Sequence, residues 1–183
     1  MSDDATALER HQRAQQAFAG VLANVKSDQL GDATPCPDWK VRDLLGHVIG
    51  GNQRTAQSEA QLPEDFDMFV DAFAASAEAA QDAFASPDGM TKTYDVGIGP
   101  IPGSRFIVLR TTDVLTHAWD LATATGQNTD IDSALAIEML ALSQKFMRPE
   151  FRGEGMPFAA EQPCDDDAVA ADRLAAFLGR PVS

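Results

Sequence analysis

The sequence predicts an all-α protein, most simply a four-helix bundle with additional terminal helices. Apolar residues recur at alternating three- and four-residue steps along its longer segments. Breaks bearing glycine or proline separate those segments. A long stretch without helical period, Met90 to Ser104, reads as a loop.

The first helix is expected over Asp3 to Lys26, with Leu8, Phe18, Leu22 and Val25 on its seam and His11 and Gln15 filling the remaining places. Leu30 to Asp38 breaks it, because Gly31 and the two prolines around Cys36 make a rigid, non-helical connector. Val41, Leu44, Leu45 and Val48 then stand at i, i+3, i+4 and i+7, marking a second helix that ends or kinks near Gly50-Gly51. Glu64 to Ala85 has the cleanest period, its stripe running through Phe66, Phe69, Val70, Phe73, Ala77, Ala80 and Phe84. Ser86-Pro87-Asp88-Gly89 stops it. In the loop that follows, Gly97, Gly99 and Gly103 alternate with Pro100 and Pro102, leaving room for a short extended piece at Lys92 to Val96. Helix resumes over Arg105 to Thr125, with Gly126 as its C-terminal cap. Another helix spans Asp130 to Met147, with Asp130 as N-cap and Ile131, Leu135, Leu142 and Phe146 facing inward. After an irregular stretch, Asp165 to Leu178 forms the last helix, and Asp165-Asp166-Asp167 reads as its solvated N-terminal cap.

Composition narrows the function. At 183 residues the chain is expected to form one domain, 1–183, able to bury roughly 70% of its unfolded surface. Apolar residues are 44% and charged residues 23%, an ordinary globular balance. With 14 Lys and Arg against 28 Asp and Glu, the net charge is −14, which disfavours nucleic acid and anionic membrane surfaces as partners. No apolar run approaches the roughly 20 residues of a membrane span, and the acidic N-terminus does not resemble a signal peptide. A cytoplasmic protein is expected, with Cys36 and Cys164 as free thiols rather than a disulfide.

The chemistry concentrates on the helix from Arg105. Phe106, Leu109, Asp113, His117, Asp120 and Leu121 share one face, so the inward stripe turns acidic and imidazole-bearing halfway along. A buried carboxylate needs a partner or a cation. Asp113 and His117, at i and i+4, stack one turn apart and can grip one divalent metal; for the spacing alone a hydrogen-bonded polar pair is the commoner reading. His47 flanks the stripe of the second helix beneath Gly50 and Gly51, which leave space for close approach by another helix or a ligand. His11 reads as a packing or rim histidine. Cys36 has no basic neighbour except Lys40 to lower its pKa. There is neither a nucleophile elbow nor a dinucleotide fingerprint.

Two segments carry a resemblance. Thr34-Pro-Cys-Pro-Asp-Trp-Lys-Val-Arg-Asp-Leu-Leu-Gly-His47 resembles the opening signature of the mycothiol-dependent maleylpyruvate isomerase N-terminal domain family, within the DinB/YfiT-like metalloenzymes. Leu115-Thr-His117-Ala-Trp-Asp-Leu-Ala122, followed by Ala124-Thr-Gly126, resembles its second signature. The resemblance implies a DinB-like four-helix bundle holding one divalent metal, typically zinc, with nickel also accepted by such ligands. It places the ligands on His47, Asp113 and His117, leaving a coordination position free for water or substrate. It implies mycothiol or another small thiol as co-substrate, an electrophile as substrate, Asp120 as orienter of His117, and a homodimer. The activity implied is thiol-dependent transfer or isomerisation; the alternative is a non-catalytic bundle that binds a metal or small ligand. Three features depart from the family pattern. Asp113 stands where the isomerase has Glu. Lys40 replaces a Ser or Thr, so a capping box with Asp43 is expected to be lost. The chain is also expected to end before the isomerase's further C-terminal domain.

Overall fold

A computed structural model describes residues 3–59, 61–95, 99–147, 152–153 and 159–182. The helices are α1 (Asp3–Leu22), α2 (Val41–Thr55), α3 (Asp67–Ala85), α4 (Gly103–Ala124), α5 (Ser133–Phe146) and α6 (Ala170–Phe177). A 3-10 turn (Ser27–Gly31) precedes α2, and strands β1 (Thr93–Asp95) and β2 (Pro100–Pro102) precede α4. Helices α1 to α4 form the bundle, α1 lying chiefly on α4 and α2 chiefly on α3, while α5 and α6 pack on each other and on α4. The fold is all-α, as its periodicity predicts.

Acidic Asp3 and Asp4 open α1, where the helix dipole favours them. The helix stops at Leu22 rather than Lys26 because the Asn24 side-chain amide takes the Gly20 carbonyl, and the Asn24 backbone N–H turns to Val21 instead. Val25 is nonetheless buried. In α2 the Lys40 backbone N–H donates to Asp43 Oδ2 at 2.9 Å. Half of the capping box therefore survives; the other half needs an acceptor that a lysine lacks. Helix α2 does not end at Gly50-Gly51 but runs to Thr55. Both glycines are buried against other side chains, and burial of a helix face outweighs their low propensity.

The stripe of α3 buries Phe69, Phe73, Ser76, Ala80 and Phe84, whereas Val70 stands 43% exposed at its margin. Part of the expected loop is a hairpin. β1 and β2 pair antiparallel, with Tyr94 opposite Ile101, so that Tyr94 closes a second small core with Phe84, Phe106 and Ile107. Val96 and Gly97 lie outside the described residues, as does most of the irregular stretch after Met147.

Helix α4 is the central element, buried along most of its length. It ends in a Schellman motif: Gly126 takes φ +68°, its N–H donates to Thr123, and Gln127 N–H reaches Ala122 at 2.8 Å. Helix α5 begins at Ser133, and its cap is Asp132 rather than Asp130. The Asp132 carboxylate accepts from Leu135 N–H at 3.1 Å and pairs with Arg13 of α1. Leu135 is buried as expected, but Phe146 is 58% exposed, because α5 contacts the bundle over only part of its length. Helix α6 starts at Ala170, after Val169, so the Asp165–Asp167 run precedes the helix and does not cap it. Trp119 Nε1 donates to Asp172 at 2.6 Å, tying α6 to α4. Among the described residues no helix is long and apolar enough to cross a membrane.

Candidate metal centre

Three elements converge near the middle of α4. The connector before α2 closes on itself: Thr34 N–H donates to the Trp39 carbonyl, Trp39 N–H donates to the Cys36 carbonyl, and Asp38 takes φ +65°. That closure directs Cys36 and Trp39 toward α4. Helix α2 contributes His47, and α4 contributes Asp113 and His117 one turn apart.

Asp113 Oδ1 lies 3.3 Å from His47 Nε2 and 3.5 Å from His117 Nε2. The two imidazole rings meet edge to face, with centroids 4.8 Å apart. One ligand atom from each of these residues lies within 4.8 Å of the others. The other oxygen, Asp113 Oδ2, accepts from Arg110 Nη1 at 2.7 Å. One carboxylate thus divides its work, Oδ2 toward the guanidinium and Oδ1 toward the histidines. Burial works to raise the Asp113 pKa, yet the charges of Arg110 and His117 hold it well below the carboxylate range. Burial likewise opposes charge on His117. The Asp113 carboxylate, with hydrogen bonds to Asp113, Asp120 and Cys36, more than offsets it and raises His117 well above its ordinary value.

Behind His117 stands a second carboxylate. His117 Nδ1 donates to Asp120 Oδ2 at 2.9 Å, so Nε2 points at Asp113. Asp120 is fully buried and receives two bonds from Arg180, at 3.1 Å to Oδ1 and 3.0 Å to Oδ2. Cys36 Sγ sits 3.3 Å from both Asp120 Oδ2 and Arg180 Nη2. Its basic neighbour is therefore Arg180, not Lys40. Cys36, His117 and Asp120 also lie close enough to suggest a cation site, but the Arg180 guanidinium already fills the space against both Cys36 and Asp120. Cys36 and Cys164 are both free thiols.

Trp39 covers the pair of histidines, 4.8 Å from the His47 ring and 5.6 Å from that of His117. A cleft of about 760 Å³ opens beside it, lined by Trp39, Arg42, Gly46, His47, Leu62 and Phe69 among others. His47 is 30% exposed at the side chain whereas His117 is 6%, so the site is reached from the His47 side. His11 lies apart from this cluster. It is fully buried, donating through Nδ1 to Gln81 and accepting from Gln15 at Nε2, and burial lowers its pKa to about 4.

The three histidine and aspartate positions expected from the sequence thus come together, and the orienting role of Asp120 has the geometry for it. Arg110, Arg180 and the placement of Cys36 are not among the features the sequence singles out. Arg110 had a legible signal, since it stands three residues before Asp113 on the same inward stripe. Arg180 had none, being 60 residues from Asp120.

The fold and site together define an all-α bundle in which two imidazoles and one carboxylate converge beside an open cleft. The family model of the mycothiol maleylpyruvate isomerase N-terminal domain matches residues 11–67, a span that includes the Thr34–Trp39 connector and His47. Two relatives from Mycobacterium tuberculosis are similar over nearly the whole chain: the uncharacterized proteins MT0763 (strain CDC 1551 / Oshkosh) and Rv0738 (strain ATCC 25618 / H37Rv). Each is 54% identical over 178 residues, covering 96% of this chain and 98% of the relative. No solved structure matches. The chain belongs to the mycothiol maleylpyruvate isomerase N-terminal domain family.

Proposed function

We propose that this protein is a divalent-metal enzyme that adds or transfers a low-molecular-weight thiol, mycothiol or a relative of it, to a small electrophile. The observation that carries the reading is the convergence of His47 Nε2, His117 Nε2 and Asp113 Oδ1 at the edge of a cleft. The donor set fits a borderline-soft ion such as zinc or nickel, and three protein ligands leave a position free. Such an ion lowers the pKa of a thiol bound beside it and so supplies a nucleophile at neutral pH.

The chain's own residues do the rest. His47 and His117 would hold the ion through Nε2, and the Asp120 bond to His117 Nδ1 gives that ring the orientation and tautomer this requires. Arg110 occupies Asp113 Oδ2 and leaves Oδ1 to the site. Trp39 shields the inner histidine from water, and the cleft falls within the volume range of small-molecule sites.

Elemental analysis of purified protein tests this reading beside His47→Ala and His117→Ala. About one equivalent of metal is expected in the wild type and almost none in either variant. The helical circular dichroism should be retained, because a chain of this size buries enough surface to fold without an ion. A wild type that takes up no zinc or nickel after reconstitution would leave Asp113 and His117 as a polar pair.

A further inference from the structure

Arg110 is a costly residue to keep where it is. It is 6% exposed, and its Nε has no hydrogen-bond partner. A buried guanidinium with an unpaired N–H is a destabilising arrangement unless its charge is used. The surroundings are shaped around it. A Cβ on Gly51 would lie 2.5 Å from Arg110 Nη1, so the position on α2 nearest the guanidinium has no side chain. Asn52 Oδ1 accepts from Arg110 Nη2 at 3.1 Å, and Asn52 is held in turn by Gln15. Nη1 then points at Asp113 Oδ2.

A positive charge next to a site that receives a cation is repulsive, so neutralising a bare carboxylate is only half of its effect. The other carboxylate behind the histidines is treated in the same way, Asp120 being paired with Arg180. Counted as Asp113 and Asp120 against Arg110 and Arg180, the surroundings of the two histidines sum to zero charge. Among the described residues no further buried carboxylate is left to balance a divalent ion held there. The cleft rim carries Asp38, Asp43 and Glu64 against Arg42, but these groups face solvent, where water and salt screen them. Arg110 acts from inside, in low dielectric.

We propose that Arg110, seated on Gly51, is the residue that makes the free coordination position selective for an anionic ligand over a neutral one. The proposal rests on the metal reading above and deepens it, naming the residue that sets the charge of the ligand the free position takes.

The test uses the full chain loaded with cobalt(II), whose visible spectrum reports each ligand that binds. Thiocyanate serves as the anionic probe and imidazole as the neutral one. Arg110→Gln should weaken thiocyanate by tenfold or more while imidazole changes by less than threefold. Arg110→Lys, which keeps the charge, should recover most of the thiocyanate affinity. Gly51→Ala covers the case in which Arg110→Gln does not fold: a single methyl pushes the guanidinium off Asp113 and should give the same selective loss to a smaller degree. If cobalt binds but thiocyanate affinity is unchanged in these variants, the inference is overturned alone. Equal losses for both probes overturn it too, since Arg110 would then only hold the fold. A wild type that binds no cobalt overturns the metal reading and this inference together.

Discussion

At the scale of single residues, the molecule places three histidines in three electrostatic settings. His47 is partly exposed at the cleft, and His117 is buried, with carboxylate neighbours that raise its pKa well above the ordinary value. His11 is buried and neutral, with its two ring nitrogens bonded to Gln81 and Gln15 and with Arg110 adding to the cost of charging it. Its pKa falls from 6.5 unfolded to about 4 folded, so in that window the unfolded chain binds the extra proton. Stability attributable to His11 is therefore intact above pH 6.5, is lost as pH falls toward about 4, and levels off below that. Urea unfolding across this range should show the wild type losing about 3 kcal/mol more than His11→Gln, from a shift of some two and a half units at about 1.4 kcal/mol each. Parallel pH profiles for the two proteins would remove His11 as the titrating group.

At the scale of elements, caps and crossings decide more than propensity. Helix α5 depends on Asp132, which holds φ +39°, bonds Leu135 N–H and pairs with Arg13 across to α1. Asp132→Ala should destabilise the protein by about 1–2 kcal/mol, mostly through the lost cap, since the part-exposed pair with Arg13 adds roughly 1 kcal/mol at most. Asp130→Ala should cost less than about 0.5 kcal/mol, as a surface change away from the cap. Thermal unfolding of the two variants side by side separates the residues, and the reverse ranking would mean that α5 starts earlier. Helix α2 shows the same principle in another form. Gly50-Gly51 looks like a stop in the sequence, yet the helix passes through to Thr55 with both glycines buried, and Gly51 leaves room for the Arg110 guanidinium.

At the scale of the whole molecule, one apolar core runs through α1 to α6. Phe18, Leu44 and Leu121 of the bundle belong to the same cluster as Leu135 of α5 and Leu174 of α6. The hairpin closes a small second core over one end of α3 and α4. The terminal helices are thus joined to the bundle by the same buried surface that holds the bundle together, and we propose that the chain unfolds as one unit. Calorimetry should record a single cooperative transition with equal calorimetric and van't Hoff enthalpies. An earlier separate melt, abolished by deleting the segment after Met147, would make α6 an independent appendage.

Much of this is legible in the sequence. The spacing of apolar residues determined six helices and most of their inward faces, because a period near 3.6 is imposed by local backbone geometry and needs no partner to be read. Asp113 and His117 were legible for the same reason, being one turn apart on one helix. The identity of the partners was not. Arg110 with Asn52 and Arg180 with Asp120 are joined across 58 and 60 residues, and Arg13 with Asp132 across 119. Local spacing says nothing about which distant charge meets which. Only the tertiary structure decided that Asp120 meets Arg180 and that Arg110 is seated between Gly51 and Asn52, because neutralising a buried charge depends on which groups the packed helices bring within a few ångströms.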